Sequence, residues 1–226
     1  MNCTKTTMRL YAVTDRAWTG RQTLAQQVEA ALRGGVTCVQ LRDKHPDPAQ
    51  LLPEARALCA LCHRYGVPFI VNDDLALALR CGADGVHLGQ GDLPAAEARR
   101  RARPGFLIGV SAHSVAEAQK AQADGADYLG VGAVFPSATK ADAAPLPHET
   151  LRAIRRAVPL PIVAIGGIRR ENMLELVGCG ADGVALVRAI FGAQDIEAEC
   201  RALRALAEQM AAAPLRESEG RPCTRF

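Results

Sequence analysis

Gly82-Ala83-Asp84-Gly85, Gly125-Ala126-Asp127-Tyr128 and Gly180-Ala181-Asp182-Gly183 are three copies of one short phrase, and Gly34-Gly35-Val36 is a looser fourth. The glycine suits a helix C-cap, and the Ala-Asp pair suits a tight turn into a strand. Working outward, short apolar runs follow at Leu10–Val13, Val36–Leu41, Phe69–Val71, Gly85–Leu88, Leu107–Val110, Tyr128–Val131, Ile162–Ile165 and Gly183–Val187. They are too short for helices and rich in branched residues, as buried parallel strands are. Ala/Leu-periodic stretches lie between them, near Leu24–Arg33, Pro48–Tyr65, Leu75–Cys81, Ala95–Arg103, Val115–Ala123, His148–Ala157, Asn172–Cys179 and Ile196–Ala213. Their charged residues fall on the opposite face, so each is read as an amphipathic helix. The repeated phrase precedes each even-numbered strand, so the unit is two βα modules seen four times. This count predicts an α/β protein, a single (β/α)8 TIM barrel. A doubly wound open sheet is the competing architecture, but it does not account for a fourfold repeat of strand pairs.

One barrel domain is expected over residues 1–213, followed by a polar, fraying tail over 214–226. Aromatics are only 4% of the chain, so the core must be built from Ala, Val, Leu and Ile. A net charge of +3 is too small and dispersed for a nucleic-acid surface. The dense basic run Arg99-Arg100-Arg101 with Arg103 closes a helix, where cations suit the dipole, and is read as a solvated helix end. Eight cysteines are spread along the chain rather than packed into a small scaffold, and Cys59-x-x-Cys62 lacks a second pair to complete a zinc set. They are read as buried free thiols. No signal-like segment and no apolar run long enough to span a bilayer is visible, so a cytoplasmic setting without membrane contact is expected. A homo-oligomer stays open.

In a closed barrel, chemistry belongs at the C-terminal ends of the strands. After the second strand, Gln40, Arg42 and Lys44 fall at alternate positions and share a side while the chain stays extended. Two cations there favour a bound anion; a rim ion pair is the bland alternative. Asp73 follows the third strand and Asp92 the fourth. Two carboxylates there can neutralise the cations or hold Mg2+, and spacing does not decide between these. The loop Ala133–Pro147 carries Ser137, Thr139 and Lys140, suiting either a lid over phosphate or a solvated loop. The turns around Gly166-Gly167 and Val187-Arg188 lie where such barrels often bind phosphate. His87 reads as a packed strand histidine. His113 caps a helix or serves the site; Trp18 and Tyr65 read as packing.

In order and combination, these segments resemble the thiamine-phosphate synthase family from Tyr11 to Ile190. The resemblance rests on Tyr11-Ala12-Val13-Thr14-Asp15, Gln40–Lys44, Val71-Asn72-Asp73 and Gly85-Val86-His87-Leu88-Gly89-Gln90-Gly91-Asp92-Leu93-Pro94. It continues through Gly130-Val131-Gly132, Phe135-Pro136-Ser137-Ala138-Thr139-Lys140 and Ala164–Ile168. It implies a transferase joining 4-amino-2-methyl-5-hydroxymethylpyrimidine diphosphate to 4-methyl-5-hydroxyethylthiazole phosphate. The segment Gln40-Leu41-Arg42-Asp43-Lys44, with Asn72, Ser111 and Lys140, would then hold the pyrimidine diphosphate. Arg42, Lys44, Ser111 and Lys140 would be its catalytic members, and Asp73 and Asp92 would bind Mg2+. Ser137, Ala138 and Thr139 would contact the thiazole phosphate, helped by Gly167, Val187 and Arg188. The family usually has serine where Arg188 stands, so a hydroxyl contact is lost there while a backbone one is kept. Rival readings are a thiazole tautomerase, which need not keep the diphosphate set, and a non-catalytic sensor of phosphate ligands.

Overall fold

The computed structural model describes residues 3–20, 22–43, 48–136 and 145–216. Eight parallel strands close into a barrel in chain order: β1 Leu10–Val13, β2 Cys38–Leu41, β3 Phe69–Asn72, β4 Gly85–Leu88, β5 Leu107–Ala112, β6 Tyr128–Gly132, β7 Ile162–Ile165 and β8 Gly183–Leu186. The helices are α1 Leu24–Arg33, α2 Pro48–Arg64, α3 Leu75–Cys81, α4 Ala95–Arg101, α5 Val115–Ala123, α6 His148–Ala157, α7 Arg188–Phe191 and α8 Ile196–Ala212. The expected barrel is therefore found, and the open sheet is excluded by the β1–β8 pairing.

The expected helix at Asn172–Cys179 is corrected. Only a 3-10 turn forms there, at Met173–Leu176. Asn172 is committed to the preceding loop, receiving the Arg169 N–H at 2.8 Å and donating to the Gly167 carbonyl at 3.0 Å. Gly178 then leaves the right-handed region at φ 76°, so the segment has room for one turn. The short helix α7 follows β8 directly, where the sequence suggests only a turn around Val187-Arg188.

The repeated phrase fastens the N-terminal end of the barrel. The Asp84 carboxylate accepts the Phe69 N–H at 2.8 Å, and the Asp84 N–H returns to the Phe69 carbonyl at 2.9 Å. Asp127 makes the same two bonds with Ile108, and Asp182 with Ile162. In the looser copy Thr37 replaces aspartate and does this with Leu10 through its hydroxyl. A carboxylate or hydroxyl thus supplies the acceptor for an N–H at the start of β1, β3, β5 and β7. Arg99 at 2.5 Å and Arg155 at 2.8 Å neutralise Asp127 and Asp182, and His63 Nε2 meets the Asp84 carboxylate at 2.8 Å. The basic run is accordingly only partly a solvated helix end. Arg99 also grips the Gly125 and Phe106 carbonyls, and Arg103 the Ala83 carbonyl.

Strand alternation makes two apolar layers. Leu10, Ala12, Val39, Leu41, Val71 and their equivalents face the helices. Tyr11, Val13, Cys38, Ile70, Leu107, Tyr128 and Val163 fill the barrel itself. The described cysteines are all free, and Cys59 and Cys62 are buried, as expected. Beyond α8 the chain continues to Arg216, whose N–H reaches the Gly178 carbonyl at 2.9 Å; the rest of the tail lies outside the described residues. No helix among the described residues is long and apolar enough to cross a membrane.

Candidate functional site

The inward parity of β2 to β5 carries polar residues at the C-terminal rim: Gln40, Asn72, His87 and Ser111. Strand register links them, with Gln40 opposite Ile70, Asn72 opposite His87, and His87 opposite Gly109. Arg42 sits just above, and Thr14 fixes its backbone: the Arg42 N–H donates to the Thr14 hydroxyl at 3.0 Å, which donates to the Arg42 carbonyl at 3.3 Å. Thr14 is only 1% exposed, so this anchor is part of the packed rim.

Asp73 follows β3 in the left-handed region at φ 64°, a conformation that costs a non-glycine residue energy and is often found at working sites. Its N–H is held by the His87 carbonyl at 2.8 Å, and its carboxylate accepts from the Asn72 amide at 2.6 Å. Asp92 turns back to accept the Gly89 N–H at 2.6 Å, bringing its carboxylate within hydrogen-bonding reach of Asp73. Partial burial, then the Asp92 carboxylate, raise the Asp73 pKa to about 6, against the opposing pull of Arg42 and Asn72. Among the described residues no group of three or more His, Cys, Asp or Glu side chains is placed to hold a metal. Two facing carboxylates nevertheless match the protein share of a Mg2+ site, which is completed by water and phosphate oxygens.

Other expected members are placed differently. The Leu41 side chain faces the helices and is 2% exposed, leaving only its backbone for a ligand. The Asp43 carboxylate is taken by Arg16 at 2.5 Å, and Arg16 also binds Glu54 of α2. That clamp ties the residues after β2 to α2. Lys44, Ser137, Ala138, Thr139 and Lys140 lie outside the described residues.

Across the mouth, Gly167 is close-packed under the loop after β6. An added Cβ would stand 2.4 Å from the Pro136 carbonyl oxygen, and its φ is 64°. The Val134 and Phe135 N–H groups bond the Ile165 and Gly166 carbonyls at 2.9 and 3.1 Å, pinning that loop to β7. Val187 leads into α7, whose first N–H groups open at this rim. The Arg188 guanidinium lies over the Trp18 ring, 5.6 Å from its centroid, so Trp18 does more than fill space. His113 pairs with Glu117 at the start of α5, the capping alternative.

Sequence reading missed Tyr11, Tyr128 and Asn172 as organisers of the site. The tyrosines were detectable as hydroxyl-bearing residues at the inward parity of apolar strands. Their hydroxyls meet at 2.9 Å inside the barrel.

A profile of the family described as thiamine monophosphate synthase matches residues 10–190. A thiamine-phosphate synthase of Chloroflexus aurantiacus is 50% identical over 199 residues, covering 88% of this chain and 92% of that protein. One from Methanocella arvoryzae is 46% identical, with 88% and 95% covered. The solved thiamine phosphate pyrophosphorylase of Pyrococcus furiosus superposes with a TM-score of 0.84 at 37% identity, covering 91% of this chain and 98% of its own. With residues 10–190 matched by the family model and about nine-tenths of the chain covered by these relatives, the chain belongs to the thiamine monophosphate synthase family, transferases of thiamine biosynthesis.

Proposed function

We propose that the chain joins 4-amino-2-methyl-5-hydroxymethylpyrimidine diphosphate to 4-methyl-5-hydroxyethylthiazole phosphate, giving thiamine phosphate and pyrophosphate. The observation that carries this reading is the gathering of Gln40, Arg42, Asn72, Asp73, Asp92 and Ser111 on adjoining strands at one rim. The C–O bond to pyrophosphate breaks first, its electron pair leaving with the diphosphate. The electron-rich pyrimidine steadies the methylene cation, and the thiazole nitrogen lone pair then forms the new C–N bond.

Such a step asks the protein for charge and dryness, with no covalent nucleophile. Arg42 offers a charge-assisted grip on diphosphate oxygens, supplemented by hydrogen bonds from Gln40, Asn72 and Ser111. Asp73 and Asp92 would hold Mg2+, which when bound supplies positive charge to the departing group. Lys44 and Lys140 would add to that charge. The loop after β6, with Ser137, Ala138 and Thr139, would cover the thiazole phosphate and keep water from the cation. Gly167, Val187 and Arg188 would serve the phosphate through backbone N–H groups, as loops after β7 and β8 commonly do. Free buried thiols support a reducing, cytoplasmic setting.

A magnesium-dependent assay following pyrophosphate and thiamine phosphate together tests the reading. Equal release of both products is expected. Thiazole proton exchange without the pyrimidine substrate, and no coupling, would instead assign a tautomerase. Binding of thiazole phosphate with no pyrophosphate release would assign a sensor.

A further inference from the structure

A chain of five polar side chains crosses the inside of the barrel, joining two residues on opposite flanks of the rim. The Gln40 amide donates to the Tyr11 hydroxyl at 2.9 Å, and Tyr11 meets the Tyr128 hydroxyl at 2.9 Å. Tyr128 meets His87 Nδ1 at 3.2 Å, and His87 Nε2 meets Ser111 Oγ at 3.0 Å. Glycines make the room. A Cβ on Gly109 would come 2.2 Å from Tyr128 Cζ and 2.5 Å from His87 Nδ1, and one on Gly130 2.9 Å from His87 Cε1.

The chain has a direction. Tyr11 accepts the Gln40 N–H, and of the two acceptors within reach of its own proton the Tyr128 hydroxyl is much stronger than the neighbouring Cys38 thiol, which assigns that proton to Tyr128. Tyr128 then donates to His87 Nδ1. A neutral imidazole that accepts at Nδ1 carries its proton on Nε2, which donates to Ser111 Oγ. The serine proton is left over, and its remaining outlet is the rim.

From this geometry we infer that His87 is a positioning residue, which fixes Ser111 so that its O–H is offered to an anionic oxygen of the bound ligand. The inference rests on the reading of Ser111 as a diphosphate contact. Asparagine places its amide near the Nδ1 position and glutamine near Nε2, so the two replacements separate the two ends of the ring.

The test is steady-state coupling by the full chain with Mg2+, using wild type, His87→Asn, His87→Gln and Ser111→Ala. His87→Asn is expected to lower kcat/KM roughly tenfold, the scale of one hydrogen bond to a charged ligand. His87→Gln should recover to within about threefold of wild type. In the Ser111→Ala background, His87→Asn should cost no more than about twofold, because its route of action is gone. Tyr128→Phe deletes one oxygen and keeps the ring, so it serves if the histidine variants misfold; its loss should also vanish in that background. Equal losses in both backgrounds would overturn the inference, as would a His87→Asn enzyme indistinguishable from wild type. No coupling by the wild type would instead sink the functional reading, and a fully active Ser111→Ala would sink the role given to the serine.

Discussion

Asp73 and Asp92 face each other across the ends of β3 and β4, and Asp73 keeps its proton to about pH 6. Two carboxylates so close disfavour joint ionisation, and the free protein carries that repulsion at neutral pH. Arg42 offsets part of it. Asp92→Asn keeps an acceptor for the Gly89 N–H while removing one charge. The variant should therefore be slightly more stable than wild type without metal, by at most about 1 kcal/mol after solvent screening. Its magnesium-dependent coupling should fall at least about a hundredfold. Denaturant midpoints without metal and magnesium titrations of activity read the two effects separately; a less stable, fully active variant would contradict both.

The opposite behaviour is expected at the other end of the barrel. The Asp182 carboxylate binds the Ile162 N–H and Arg155, and its side chain is 11% exposed. Asp182→Ala leaves a buried N–H and a guanidinium without their partner, at a cost of about 3 kcal/mol. KM for either substrate should stay unchanged, because this face is remote from the rim. Urea unfolding beside steady-state kinetics checks the split; a raised KM with unchanged stability would mean that the repeated phrase serves the site.

That contrast also shows what the sequence made legible. Three copies of Gly-Ala-Asp announced the architecture because their backbone role is local: a helix ends, a turn closes, a strand begins. The same copies concealed their long-range role. Nothing in the order of residues says that Asp127 closes onto Ile108, or that Thr37 substitutes for an aspartate. At the rim, Gln40, Arg42, Asp73 and Asp92 were readable because parity and strand ends are sequence properties. Asp43 was not separable from its neighbours, since its pairing with Arg16 depends on how β1 and β2 lie side by side. The turn at Met173–Leu176 looked like a helix because a short periodic stretch does not reveal that Asn172 is already bound to Gly167.

His87 should give the fold an acid-sensitive limb. Burial lowers its pKa from 6.5 to about 4, with Asp92 pulling weakly the other way. Between those values the unfolded chain binds more protons than the folded one, so stability falls as pH drops from about 6.5 towards 4, and the loss levels off below that. The whole window is worth about 3 kcal/mol. Asp73 has the opposite sign, its contribution declining as pH rises from about 4 to 6, and it flattens the observed slope. His87→Gln should lose the histidine limb. Urea midpoints at half-unit pH steps test this; parallel curves for both proteins would show that the imidazole does not drive it.

Gly167→Ala probes the seam between the loops after β6 and β7. The added methyl meets the Pro136 carbonyl at 2.4 Å and the backbone stands at φ 64°, so that a side chain is opposed twice. A destabilisation of about 2 kcal/mol is expected. If the Gly167 backbone serves the thiazole phosphate, KM for that substrate should rise about tenfold or more while KM for the pyrimidine diphosphate moves little. Equal rises in both would place the damage in general folding.

Arg188 stands where the family resemblance leads one to expect serine, and its side chain is occupied elsewhere. The guanidinium lies over Trp18 and, with Arg170, lines a cavity of about 430 Å3 between α7 and the start of α8. A Cβ at Gly192 would come 2.7 Å from the Arg188 carbonyl oxygen and also crowd Trp18 at 3.3 Å and the Arg188 side chain at 3.4 Å. If the phosphate is served by backbone N–H groups at Val187 and Arg188, the change Arg188→Ser should alter KM for the thiazole phosphate by less than about threefold. It should instead cost stability, about 1 kcal/mol, through the lost stacking and stem packing. Trp18→Ala should lower stability by the same route, and combining it with Arg188→Ser should add less than the sum of the two. A tenfold rise in KM for Arg188→Ser, with its stability intact, would show that the guanidinium leaves Trp18 and takes the phosphate itself.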